Sequence, residues 1–130
     1  MRQPAVYVNF VEDMGIVCFS SGGVRTYYVT PKKYYGLGMN LDEVLVCLRI
    51  KNRSVTAGIT VKNEYSFDGQ NWTDGTTVIA QQTAAGDSKG SLDASLLPPF
   101  VRFKVEVVDT GASSEQAADI TMWGYYKYRT

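Results

Sequence analysis

The sequence predicts an all-β domain, an antiparallel β-sandwich of jelly-roll or Greek-key type with about eight strands. Three observations predict it. Short segments alternate apolar and polar residues with a period of two. Clusters of Gly, Pro, Asn, Asp and Ser separate these segments. Helical spacing is not sustained over about ten residues anywhere.

Taken in order, Ala5–Val11, Gly15–Phe19 and Val24–Thr30 read as three short strands, with Gly22-Gly23 as a hairpin tip between the last two. Val44–Ile50 is apolar on both faces. Val44, Val46, Leu48 and Ile50 share one, and Leu45 and Cys47 the other. Such a strand is either central and covered twice or covered by a neighbouring chain. Ala57–Phe67 places Ile59, Val61, Tyr65 and Phe67 on one face, with Asn63 as the exception. Asp68-Gly69-Gln70-Asn71 then turns the chain, because an Asp-Gly pair supplies the positive φ of a tight hairpin. Trp72 opens the return, and Asp74-Gly75 bends it again before the strand Thr76–Gln82. Thr83–Gly90 and Asp109–Gln116 read as polar loops, with room for one helical turn over Ala112–Ala118. Pro98 and Pro99 lead into the clearest strand, Phe100–Val108. There Val101, Phe103, Val105 and Val107 oppose Arg102, Lys104 and Glu106. Ala118–Arg129 closes the chain, with Ile120, Met122, Tyr126 and Tyr128 alternating against Trp123 and Tyr125. No linker or repeat divides residues 1–130, so one sandwich domain is expected.

Composition narrows the function. Thirteen Lys and Arg balance thirteen Asp and Glu in 130 residues. Zero net charge without a basic block argues against nucleic acid as a partner. No apolar run approaches the ~20 residues of a membrane helix. Arg2 is followed by a polar-interrupted stretch, which argues against a secretory signal. The chain has no histidine, which removes Ser-His, Cys-His and His-metal chemistry. Cys18 and Cys47 lie in apolar stretches and are expected as reduced core thiols, a single disulfide being the alternative.

The remaining candidates for chemistry have simpler roles. Glu12-Asp13, Asp42-Glu43 and Asp68 with Asp74 are the paired carboxylates, and turn positions account for them. Lys32-Lys33-Tyr34-Tyr35 follows Pro31 and reads as a solvated loop with aromatic anchors rather than an activated lysine. Gly22-Gly23 and Gly36-Leu37-Gly38 lack the spacing of a phosphate loop. Asp87, Asp109 and Asp119 could offer calcium ligands, but no EF-hand spacing occurs. No catalytic residue, cofactor or metal is therefore expected.

Tyrosine is in surplus, in close-set groups at Tyr27-Tyr28, Tyr34-Tyr35 and Tyr125-Tyr126 with Tyr128. Neighbours in a strand face opposite ways, so each pair places one ring outside the core. Tyrosine suits a surface that is apolar at one end and wet at the other. Tyr34, Tyr35, Trp123 and Tyr125 are the expected partner-binding residues.

Two stretches carry a resemblance. Glu64-Tyr65-Ser66-Phe67-Asp68-Gly69-Gln70-Asn71-Trp72-Thr73 resembles a YS-x-DG-x-x-W hairpin of discoidin-type domains and of small β-sandwich proteins of tailed-phage virions. Leu97–Val105 followed by Ala118–Tyr125 is similar to the P-x-VRF-x-V strand and final strand that accompany that hairpin in phage head and tail accessory proteins. Together they cover the C-terminal half. The resemblance implies a non-enzymatic virion protein: most directly a capsid decoration protein that contacts the major capsid protein, or a neck, tail or receptor-binding subunit. It also implies a homo-oligomer, a trimer being one closed form. A carbohydrate-binding module, with Trp72, Trp123 and the tyrosine pairs stacking on sugar rings, is the competing reading.

Overall fold

The computed structural model describes residues 5–19, 23–29, 41–95, 100–111 and 115–128. Among the described residues there are eight strands: β1 (Ala5–Cys18), β2 (Val24–Val29), β3 (Leu41–Lys51), β4 (Ala57–Ser66), β5 (Thr73–Gln82), β6 (Gly86–Asp93), β7 (Phe100–Asp109) and β8 (Gln116–Tyr128). They form two four-stranded sheets, in the orders β1-β8-β3-β6 and β2-β7-β4-β5. Doubling the chain back on itself explains this order. It pairs β1 with β8, β2 with β7, β3 with β6 and β4 with β5, all antiparallel. Wrapping that long hairpin then adds β8 against β3 and β7 against β4. This is a jelly roll, one of the two sandwich forms that the alternation and turn spacing leave open.

The inner faces carry the predicted alternation. Val44, Val46, Leu48 and Ile50 of β3 are buried against Ile59 and Val61 of β4 and Val101, Phe103, Val105 and Val107 of β7. Phe10 of one sheet meets Phe103 of the other edge-on, with ring centroids 5.3 Å apart. The tyrosine pairs divide as parity requires: Tyr126 is fully buried while Tyr125 is exposed, and Tyr28 is exposed beside a half-buried Tyr27. Tyr27 reaches the edge of β1, where its hydroxyl accepts from Val17 N (3.0 Å) and donates to Val17 O (2.9 Å). It thus satisfies edge groups that would otherwise template another strand.

Several local expectations need correction. The two segments at Ala5–Val11 and Gly15–Phe19 are one strand. Its register against β8 shifts twice between Asn9 and Met14, and Asp13 takes φ 46°. The polar Glu12-Asp13 step is absorbed as a bulge instead of ending the strand. Gly22-Gly23 cannot close a ladder between β1 and β2, because these strands lie in different sheets. Asp74-Gly75 lies inside β5, where its pairing with β4 slips. The expected loop Thr83–Gly90 is largely β6. Its polarity misleads because β6 is an edge strand whose inward positions Gly86, Ser88 and Gly90 are small. Gln116–Ala118 is strand, not helix. Phe67 lies beyond β4 and is exposed. Thr30, Pro98, Pro99, Ala112–Ser114 and Arg129 lie outside the described residues.

Gly90 shows why β6 needs small residues. A Cβ there would overlap the Val78 carbonyl of β5 and crowd Ile79. The edges of the two sheets therefore close on each other through bare backbone. Gly90→Ala is expected to cost about 1–3 kcal/mol, the usual range for forcing extra volume into a packed site. Gly15→Ala, whose added Cβ meets only an ordinary contact with Asp119, should leave the urea midpoint near wild type. Equal midpoints for the two variants would refute the seam.

The turn after β4 is held by side chains. Ser66 Oγ accepts from Asp68 N (3.2 Å) and Gly69 N (2.9 Å) and donates to Asp68 Oδ1 (2.9 Å). Asp68 Oδ1 in turn accepts from Gln70 N and Asn71 N, both at 2.8 Å. Gly69 supplies the left-handed φ of 77°. The Asn71 and Gln70 amides, then the Asn71 side chain and Ser66 hydroxyl, hold the Asp68 carboxyl well below its ordinary pKa. A depressed carboxylate stabilises the fold above its unfolded pKa of about 3.9 and loses that contribution as pH falls through the lower folded value. Trp72 fluorescence should therefore report the turn loosening only well below pH 4, and Asp68→Asn should flatten that acid limb. An unchanged acid limb in Asp68→Asn would contradict the role given to the carboxylate.

Candidate functional site

The outer faces of the two sheets differ in chemistry. On the β2-β7-β4-β5 sheet the outward rows of β7 and β4 are charged, half-buried or buried, and mutually neutralised. Lys62 pairs with Glu106 (2.8 Å), Lys104 with Asp74 (3.0 Å), and Arg102 with Glu64 (3.4 Å). Asp74, hydrogen bonded to Lys104, raises the lysine pKa against the opposing pull of partial burial, and Glu64 adds to the rise. The Arg102 guanidinium lies between two rings, 4.1 Å from the Tyr28 centroid and 4.2 Å from that of Trp72. This stack ties the 67–72 turn to the outer strand β2.

The β1-β8-β3-β6 sheet presents an apolar, aromatic centre instead. Two cross-strand rows build it. Tyr7, Tyr125, Leu45 and Ser91 are register partners, and one step along lie Asn9, Trp123, Cys47 and Lys89. Tyr7 is 56% and Tyr125 38% exposed, and their rings meet edge-on at 5.6 Å. Trp123, Leu45 and Cys47 are half-buried beside them. Charge pairs surround this centre: Arg49 with Asp87 (2.8 Å), Lys51 with Asp13 (3.2 Å) and Lys127 with Glu43 (3.8 Å). Arg49 also lies 5.1 Å over the Trp123 ring. An aromatic middle depleted of charge and a polar rim is the anatomy of a protein-binding surface.

The structure thus brings Trp123 and Tyr125 together on one face. Tyr34 and Tyr35 lie outside the described residues, as do Lys32, Lys33, Gly22 and Gly36-Leu37-Gly38. Sequence reasoning missed Tyr7. Alternation against Val8 and Phe10 is the signal for its outward position, and strand order alone puts it beside Tyr125. Cys18 is a core thiol and Cys47 is not. Both are free, and Cys47 sits on the outer face because Val46 and Leu48 take the inward positions. Burial, its largest influence, pushes the Cys47 thiol pKa up, with Lys89 opposing.

The candidate carboxylates are engaged structurally. Glu12 accepts from Asn9 (2.9 Å), Asp13 and Glu43 pair with lysines, and Asp68 holds its turn. Among the described residues no group of three His, Cys, Asp or Glu side chains is placed to hold a metal. No described helix is long and apolar enough to cross a membrane.

No family model matches the chain, and no curated protein matches it. Solved structures do share its fold. A VP2 subviral particle of infectious bursal disease virus aligns with a TM-score of 0.60 at 12% identity, over 98% of this chain and 33% of that one. The PBSX exported protein XepA aligns with a TM-score of 0.55 at 11% identity, over 96% and 38%. FlhE aligns with a TM-score of 0.52 at 7% identity, over 97% and 98%. The chain therefore spans about a third of the viral chain it matches. Identity this low establishes the common fold, and function must come from the surface.

Proposed function

We propose that this protein is a non-enzymatic virion structural protein, a capsid decoration protein that docks on the major capsid protein through the outer face of its β1-β8-β3-β6 sheet. The observation that carries this reading is the Tyr7–Tyr125–Leu45–Trp123 centre within its ring of ion pairs. The fold it shares with a viral particle protein and with a PBSX protein supports the same reading. Docking needs stiffness, and the stapled turn and closed seam supply it.

The purified protein should co-sediment with assembled heads of the virus whose genome carries it, and should raise their resistance to heat. Absence of binding to those heads would reject the proposal. A closed homo-oligomer, a trimer being one form, belongs to the same reading. Light scattering that finds a strict monomer at high concentration would remove self-assembly. Sugar stacking on the indoles is less favoured, because Arg102 lies over Trp72 and Arg49 over Trp123.

A further inference from the structure

The two sheets end in the edge strands β1, β6, β2 and β5. An edge strand offers unpaired N–H and C=O groups to any chain that can use them. Three of these strands carry charge: Asp87 and Lys89 on β6, Arg25 on β2 and Asp74 on β5. β5 and β6 also close on each other where Val78 meets Gly90. β1 is guarded over only part of its length. Tyr27 covers Val17, and the bulged stretch between Asn9 and Met14 bends the edge aside. The segment Ala5–Asn9 has neither a charge nor a proline. Ala5, Val6 and Tyr7 are all exposed, and no described strand lies beyond them.

The ladder fixes which groups face outward. Val17 N donates to the Tyr27 hydroxyl and Val17 O accepts from it, so both groups of Val17 turn away from β8. Its neighbours Ile16 and Cys18 therefore bond β8, opposite Ala118 and Gln116. The register runs on without a shift to Met14 opposite Ile120. β8 itself pairs with β3 without a shift from Asp119 to Lys127. Met122, Gly124 and Tyr126 therefore face β1 as Ile120 does. Val8 lies opposite Gly124 and Val6 opposite Tyr126. Val6 and Val8 thus bond β8, while Ala5, Tyr7 and Asn9 point their N–H and C=O groups out of the sheet edge.

A guest strand must match this spacing without bringing a charge to an uncharged edge, and the segment itself meets both demands. A second copy, running antiparallel about a two-fold axis at Tyr7, matches every outward residue. Tyr7 meets Tyr7 of the copy, and Ala5 meets Asn9 in both directions. Each match is a pair that exchanges both main-chain bonds. Opposite residues share a face, so the axis stands perpendicular to the sheet. The cross-strand row of Tyr125 and Tyr7 then continues into its copy, and both aromatic centres face the same side. We infer that Ala5–Asn9 is a self-pairing edge that joins two copies through β1, making their two sheets continuous. This contact rests on the homo-oligomer part of the proposed function and is independent of the capsid part. So short a ladder makes a small interface, and the dimer is expected to be reversible.

Sedimentation equilibrium of the full chain at up to about 1 mM, without heads, should show monomer giving way to dimer. Tyr7→Pro deletes only an outward N–H, so β1 keeps its ladder with β8 while the central bonds of the dimer are lost. It should weaken dimerisation about 30-fold, and Tyr7→Ala, which keeps the N–H, less than about tenfold. Cross-linking supplies a readout that does not depend on the proline. Hydrogen-bonded partners lie about 5.5 Å apart at Cα, within disulfide reach. In a Cys47→Ser background, Tyr7→Cys should oxidise to a covalent dimer. Asn9→Cys, whose opposite residue is Ala5, should not. The inference is overturned by a monomer at every concentration, or by a trimer, because this two-fold contact closes at two copies. A dimer that folded Tyr7→Pro leaves intact, or cross-linking through Asn9→Cys instead of Tyr7→Cys, overturns it as well. A chain that dimerises this way yet does not co-sediment with heads keeps this contact and loses the capsid proposal. One that co-sediments but stays monomeric does the reverse.

Discussion

Phe103→Ala is expected to lower stability by about 3–5 kcal/mol, the range for truncating a buried aromatic side chain. Phe103 is 1% exposed at the middle of β7, and its ring meets Phe10 at 75° across the sandwich. The loss combines three effects: apolar area returned to water in the unfolded reference, a cavity between layers that cannot collapse, and an edge-on ring contact. The layers are held apart by Val105 and Val107 on the same strand and by Tyr126 and Ile120 opposite, all buried. A whole ring removed from between them leaves a void. Domains carry only about 5–15 kcal/mol in total, so a loss of this size should bring the urea midpoint down by a large fraction at constant slope. Phe103→Leu, which keeps most of the volume, should lose less. A Phe103→Ala loss below about 1 kcal/mol would mean that the two sheets do not pack through this pair.

How far the fold is legible in the sequence depends on where each strand sits. β7 and β3 are central, and their alternation stands out because one face must be continuously apolar. β6 is not legible, because an edge strand held by Gly90 against the β5 backbone has almost no apolar signal to give. The break at Glu12-Asp13 looks like a loop for a different reason. A left-handed Asp13 lets a strand pass through a polar step, and that conformation is invisible to periodicity. Asn63 is visible as an exception in β4 but acquires its meaning only from Thr76 and Gly75, brought beside it by the bulged hairpin. The proposed docking centre is half legible. Trp123 and Tyr125 follow from parity within β8, whereas Tyr7 and Leu45 join them through long-range pairing with β1 and β3.

That pairing makes the second large effect specific. The double variant Tyr7→Ala, Tyr125→Ala should weaken binding to assembled heads by roughly 30-fold or more, because even one aromatic hot spot at an interface centre is worth about 2 kcal/mol. Both rings are substantially exposed, 56% and 38%, and their partner is each other. The free protein should therefore keep nearly its full thermal stability, which separates lost docking from lost folding. Tyr28→Ala removes an equally prominent ring, 53% exposed, from the opposite sheet. It should leave docking intact while disturbing the Arg102 stack. Cys47 provides an independent probe at the same centre. Its half-buried thiol, with a raised pKa, should react slowly with a maleimide, and docking should protect it further. If the double variant binds heads as tightly as wild type and Cys47 reacts equally fast in the bound state, the outer face of this sheet is not the docking surface. If Tyr28→Ala alone abolishes binding, the charged face of the other sheet takes its place.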